Sequence, residues 1–184
     1  MIISGQKPFQ FIYREDLRSL PKAAISHESN LHGAFAVDKD TDGRIFYGMP
    51  NFGLMAITPD LKNQDVIELP NEIKSFNFHG INICNIDNNK RLVLSANLDE
   101  KIIILTLDGK KDFIFSRPEF EEYKSKVKIY KPTDAVIIKD DLYVADGYGS
   151  NFISVADIKT KKWKKIFAGP TDIPTEKGLL GTAH

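Results

Sequence analysis

His79-Gly80-Ile81-Asn82-Ile83-Cys84 is one copy of a block that the chain repeats. An earlier copy reads His32-Gly33-Ala34-Phe35-Ala36-Val37 and a later one Thr133-Asp134-Ala135-Val136-Ile137-Ile138, while His184 stands where the next would open. Behind each opening come a polar turn, two further apolar runs and a charged stretch, closing at Pro70, Pro118 and Pro170. The openings recur about every fifty residues, and a repeat of that length holding four short strands is the signature of a β-propeller blade. The predicted fold is therefore all-β, a partial propeller over 32–184. Its blades span 32–70, 79–118 and 133–170, a fourth starts at 184, and a lead-in covers 1–31.

Strands are predicted at 33–38, 44–49, 53–58 and 65–69 in the first blade, and at 80–86, 90–96, 101–107 and 111–116 in the second. The third has them at 134–139, 141–146, 152–157 and 163–168. The signal is β-branched and aromatic enrichment, as in Ile102-Ile103-Ile104-Leu105, Phe113-Ile114-Phe115 and Leu142-Tyr143-Val144. Turns are expected at Asp42-Gly43, Asn88-Asn89, Asp108-Gly109 and Asp140-Asp141. Arg14 to Ser26 alone has some helical spacing, interrupted by Pro21, and Phe9 to Tyr13 reads as an outer strand of another blade. The connectors 119–132 and 171–183 exceed the loops usual in compact domains, and connectors of that kind are expected to build a binding surface on the channel face.

A propeller closes with 4–8 blades, so three blades and the opening of a fourth do not complete a ring. The expectation is a piece of a longer protein; were the chain complete, its open blade edges would favour self-association. The 184 residues carry 25 basic and 25 acidic side chains, a balance that argues against a nucleic-acid binder, which needs a basic face. The single Cys84 cannot form an internal disulfide, and it sits in an alternating apolar run as a buried strand thiol would. No basic segment followed by a long apolar run marks a signal peptide, and no run is long enough to span a membrane, so the compartment stays open.

Three of the four histidines, His32, His79 and His184, fall at one equivalent position, the mouth of an innermost strand. Imidazoles brought there from different blades can share a divalent cation such as zinc. The plain alternative is that each histidine caps a backbone carbonyl. His27 lies outside the register and reads as a surface loop residue. In Ala145-Asp146-Gly147-Tyr148-Gly149, Tyr148 occupies a loop on the same face as these histidines. A tyrosine held between glycines beside a cation is a candidate general base, and an aromatic lid on a glycine turn is the alternative.

Lys131-Pro132-Thr133-Asp134-Ala135-Val136, followed by Leu142-Tyr143-Val144-Ala145-Asp146-Gly147-Tyr148-Gly149-Ser150-Asn151, resembles the NHL-repeat propellers. The likeness is to their peptidyl-α-hydroxyglycine α-amidating lyase branch, whose blades carry "PTDVAV" and "VADGYG" strings after an "HG" blade. It runs over residues 79 to 184, and more loosely over 32–70. It implies a six-bladed propeller with zinc held by histidines of separate blades and a catalytic tyrosine in the "DGY" loop. On that resemblance His79 and His184 would be zinc ligands, His32 a further candidate, and Tyr148 the base. The family's "NSRI" reads Ser150-Asn151-Phe152-Ile153 here.

Asp38-Lys39-Asp40-Thr41-Asp42-Gly43 matches the first half of a calcium loop. Its twelfth position is Met49, so a hairpin turn is the expected reading and calcium is not. The lysine-rich runs Tyr123 to Lys131 and Lys159 to Lys165, with Tyr123, Tyr130 and Trp163 interleaved, have the ingredients of nucleic-acid contact. Lysines on an outer strand also keep an exposed edge from pairing, and neutral composition favours that role. The function expected is a propeller scaffold binding a small molecule or peptide on its channel face, with no nucleic-acid or membrane partner. The alternative is a zinc-dependent carbon–nitrogen lyase.

Overall fold

A computed structural model of the chain describes residues 2–17, 19–30, 32–124, 129–173, 178–181 and 183. His184 and residues 125–128 lie outside them. The first elements are the hairpin β1 (Ile2–Gln6) and β2 (Phe9–Tyr13), which among the described residues pair only with each other. Phe9 to Tyr13 is thus a strand, and no four-stranded sheet includes it. Two 3₁₀ turns, Glu15–Leu17 and Ile25–Asn30, take the place of the weak helical spacing around Pro21. His27 lies in the second and packs its ring 5.1 Å from that of Phe52.

Three antiparallel four-stranded sheets follow, each a simple meander. The first is β3 (Phe35–Val37), β4 (Ile45–Met49), β5 (Gly53–Ile57) and β6 (Gln64–Ile67). The second is β7 (Phe78–Ile86), β8 (Asn89–Ala96), β9 (Lys101–Leu105) and β10 (Lys111–Ser116). After the one-turn helix α1 (Glu121–Lys124) comes the third, β11 (Asp134–Ile138), β12 (Asp141–Ala145), β13 (Phe152–Asp157) and β14 (Lys162–Ala168). The first strand of the middle sheet, β7, contacts the first strands of both neighbours, β3 and β11. Three sheets meeting along their opening strands are three propeller blades occupying part of a ring.

Local chemistry explains the meander. Asp87 and Asn88 both adopt left-handed backbone, φ 48° and 62°, and Ile86 pairs with Asn89, which makes the two-residue turn whose twist suits a hairpin. Between β11 and β12 the loop is Lys139-Asp140. Each of these turns sits one residue earlier than the polar pairs suggested. In β9 the odd and even residues divide, Ile102 and Ile104 facing the third blade and Ile103 and Leu105 the first. A continuous apolar run thereby serves two interfaces, as a sheet covered on both faces requires. The core consequently lies in the seams. Phe46, Leu54, Phe78, Leu92 and Leu94 fill the first seam, and Val93, Phe115, Leu142, Val144 and Phe152 the second.

The connector 119–132 does not simply build surface. Its Tyr123 and Tyr130 are buried in the second seam, with ring centroids 5.4 Å apart. Burying two aromatic rings gains more than exposing them, and it removes both from any stacking role. Cys84 is buried on β7, where its sulfur accepts the Ile137 N–H at 3.4 Å; burial raises the pKa of its thiol. Among the described residues no helix is long and apolar enough to cross a membrane.

Candidate functional site

The mouths of the innermost strands are stitched from one blade to the next. Ala34 donates its N–H to the His79 carbonyl at 2.8 Å, and His79 Nδ1 donates to the Thr133 carbonyl at 2.9 Å. Thr133 Oγ1 in turn donates to the Ala183 carbonyl at 3.0 Å. The glycine after the histidine permits this approach, since a Cβ on Gly80 would lie 2.4 Å from the Thr133 oxygen. The repeated His-Gly pair therefore has a structural duty at His79, the capping of a carbonyl. The same bond puts the proton of a neutral imidazole on Nδ1 and makes Nε2 the acceptor nitrogen, the tautomer that a metal-binding histidine takes when its other nitrogen meets a carbonyl.

Around this stitch the structure gathers three of the four residues singled out in the sequence. The rings of His32 and His79 lie 5.1 Å apart and those of His79 and Tyr148 4.9 Å apart, both edge to face. His32 Nε2 is 3.4 Å from the Tyr148 hydroxyl. With Gly33, Ala34, Gly80, Thr133 and Asp134 they line a cavity of about 400 Å³. Tyr148 is 43% exposed, so its ring forms an open wall. His184 lies outside the described residues; its neighbour Ala183 is buried, seated against Thr133.

Tyr148 owes its place to Asp146. The Asp146 carboxylate accepts from Lys131 N–H at 2.6 Å, Ser150 N–H at 2.8 Å and the Tyr123 hydroxyl at 2.9 Å, which ties the loop at both ends. Burial raises its pKa against the pull of those donors, and burial, with the adjoining carboxylate, pushes the Tyr123 phenol far up. Gly149 is required by proximity, because a Cβ there would fall 1.9 Å from Asp146 Oδ1. Where the lyase family has arginine, Phe152 is a core aromatic packed against Tyr123 at 5.5 Å.

Asp134 is a lining residue that the repeat alone did not single out. Its Oδ1 accepts from Asn82 Nδ2 at 2.7 Å and from the Ala135 N–H at 2.9 Å, and these bonds orient the carboxylate beside the two imidazoles. In the sequence its signal is Pro132-Thr133-Asp134, whose aspartate no repeat-level pattern marks as a lining residue.

Two imidazoles sharing one tetrahedral zinc through nitrogen have ring centroids about 5 Å apart, given zinc–nitrogen bonds near 2.0–2.1 Å. The His32–His79 separation and the His79 tautomer fit two members of such a set. Among the described residues no group of three histidine, cysteine, aspartate or glutamate side chains comes together to complete it, so Asp134 is not a third. The calcium-like loop holds a cation of another kind. Lys90 of the second blade forms an ion pair with buried Asp38 and donates to Thr41 Oγ1 at 2.6 Å.

No family model and no curated protein matches the sequence. Its structure is similar to twenty-two chains of solved structures. One is quinohemoprotein alcohol dehydrogenase from Comamonas testosteroni, at 17% identity and a TM-score of 0.48, covering 74% of this chain and 21% of that one. Another is BamB from Moraxella catarrhalis, at 12% identity and a TM-score of 0.39, covering 74% of this chain and 52% of that one. The chain thus spans about a fifth of the first and about half of the second.

Proposed function

We propose that this chain is the ligand-binding part of a β-propeller, with its site in the channel-face cavity between His32, His79, Asp134 and Tyr148. The observation that supports it is convergence. Segments more than a hundred residues apart deliver two imidazoles, a phenol and a carboxylate to one cavity of about 400 Å³, a volume suited to a small molecule or a peptide end. His32 and the phenol can each donate or accept a hydrogen bond, His79 offers Nε2 as an acceptor, and Asp134 accepts only, so the ligand presents an N–H or O–H group to the carboxylate. The NHL type, with six blades, is the form of propeller that the "PTD" and "DGYG" strings favour.

A second reading is favoured by the His79 tautomer and the spacing of the two imidazoles: a lyase acting on α-hydroxyglycine amides. His79 and His32 would hold zinc, which when bound supplies Lewis acidity to the carbinol oxygen. Tyr148 takes the hydroxyl proton, the carbon–nitrogen bond breaks, and carbon leaves as an aldehyde while nitrogen takes up a proton as the amide. Asp134 orients the substrate through its amide N–H.

Both readings are tested by titrating the protein with zinc alone and then with α-hydroxyhippurate. The lyase reading expects zinc-dependent glyoxylate release, reduced about 100-fold or more in Tyr148→Phe. Binding of α-hydroxyhippurate that is lost in His79→Ala, without glyoxylate release, leaves the binding module. Ligand titrations identical in wild type and His79→Ala remove the site altogether.

A further inference from the structure

A second concave surface lies on the outer side of the seam between the second and third blades. It is a groove of about 510 Å³ walled by the end of β10 and the start of β14, with Phe115, Phe120 and Trp163 on its floor and Arg117, Lys161 and Lys162 around it. We propose that this groove docks an acidic, aromatic-bearing segment of a partner protein, laid in extended form along β10.

Three features carry the inference. The first is a prearranged apolar floor. The Trp163 indole N–H donates to the Ser116 carbonyl at 3.0 Å and its ring packs 5.5 Å from Phe115, so the wall is ordered before anything binds. Docking on it costs little further ordering, and a rigid tryptophan beside arginine is the composition of an interface anchor.

The second is an open strand edge. β10 is the outermost strand of its sheet and, among the described residues, is hydrogen-bonded to β9 on one side only. One row of its backbone groups therefore faces outward, a template for an added strand. A groove of this volume seats two or three side chains of such a segment.

The third is uncompensated charge. Neighbouring basic groups are matched: Lys159 to Asp140 at 2.8 Å, Lys164 to Asp141 at 2.6 Å and Arg91 to Asp112 at 2.7 Å. Arg117 is held by the Tyr123 carbonyl at 2.7 Å and stands 3.5 Å from Glu100. Lys161 and Lys162 meet no carboxylate among the described residues; Lys161 lies over the Phe113 ring at 4.6 Å. Among the described residues only Glu119 lines the groove with the opposite sign. In a chain of zero net charge this is a local basic excess, and it selects an acidic partner. A single nucleic-acid strand needs a succession of stacking faces, which the burial of Tyr123 and Tyr130 takes away.

Trp163 is the sole tryptophan of the chain, so its emission reports on this groove. Acetyl-Glu-Phe-Glu-Phe-Glu-amide should change that emission saturably, and the affinity should fall as salt rises. The double variant Lys161→Glu/Lys162→Glu should weaken it by about tenfold or more, with an intermediate loss for Lys161→Gln/Lys162→Gln should the reversal disturb folding. The proposal is overturned by an unsaturable or absent response, or by equal binding of acetyl-Lys-Phe-Lys-Phe-Lys-amide. Charge variants that fold and bind as wild type overturn it too, as does tighter binding of a thymidylate dodecamer than of the acidic peptide. None of these outcomes depends on the channel-face site.

Discussion

At the scale of single residues, Asp146 and Tyr148 separate support from function. Asp146 is fully buried and accepts three hydrogen bonds; Asp146→Ala leaves their donors unsatisfied and should cost about 2–4 kcal/mol in urea unfolding. Tyr148→Phe removes the hydroxyl of a part-exposed ring and should cost about 0.5–1 kcal/mol while changing whatever the cavity binds. The pH dependence of Asp146 has a definite sign. Burial holds its pKa above the unfolded value of about 3.9, so the folded state keeps the proton more tightly. Its contribution to stability is then fully present below about pH 4 and is lost as the pH rises through the folded value. Asp146→Asn should flatten that part of a stability profile taken from pH 3 to 7. A slope identical to wild type would mean that the carboxylate ionises as it does in the unfolded chain.

Between elements, the pair of Lys90 on β8 and Asp38 after β3 latches the first two blades. Asp38 is 1% exposed and its Oδ2 has no hydrogen-bond partner among the described residues, so the Lys90 ammonium is the partner that compensates its burial. Lys90→Met should destabilise by about 3 kcal/mol, and adding Asp38→Asn should recover most of it, because a buried charge without its partner is the costly state. The exposed pair Lys159–Asp140 should show a far smaller coupling in the same double-mutant cycle, because solvent screens it. From sequence Asp38 to Gly43 reads as half a calcium loop. Its actual cation comes from 52 residues away, and only blade register reveals it. Much else was legible: β-branched runs such as Ile102 to Leu105 mark strands, and the repeat with its loops brings His32, His79 and Tyr148 to one face. The turns at Asp42-Gly43 and Asp108-Gly109 lie where expected, while two others centre one residue early, since polar pairs such as Asn88-Asn89 leave the two-residue loop ambiguous by one position. Asp134 and the buried tyrosines stayed hidden for another reason. Their roles are set by contacts with other blades, and no local pattern encodes them.

For the whole molecule, a core that lies in seams makes the middle blade the centre of stability. β8 and β9 are buried against both neighbours, so their amides should exchange with solvent only through the largest opening of the structure. The hairpin of β1 and β2 is the opposite case. All ten of its residues are exposed, and it pairs with no other sheet among the described residues. A lone two-stranded hairpin is marginal in water, so its amides should exchange by local fraying, and deleting residues 2–13 should leave the urea midpoint unchanged. Register makes the measurement pointed, because Ile2, Phe9, Phe11 and Tyr13 share one face. Four large apolar side chains on a hairpin that frays would be a standing aggregation hazard. Should hydrogen exchange find β1 and β2 as protected as β9, that aromatic face is covered in solution. The blades alone would then no longer account for the stability of the chain.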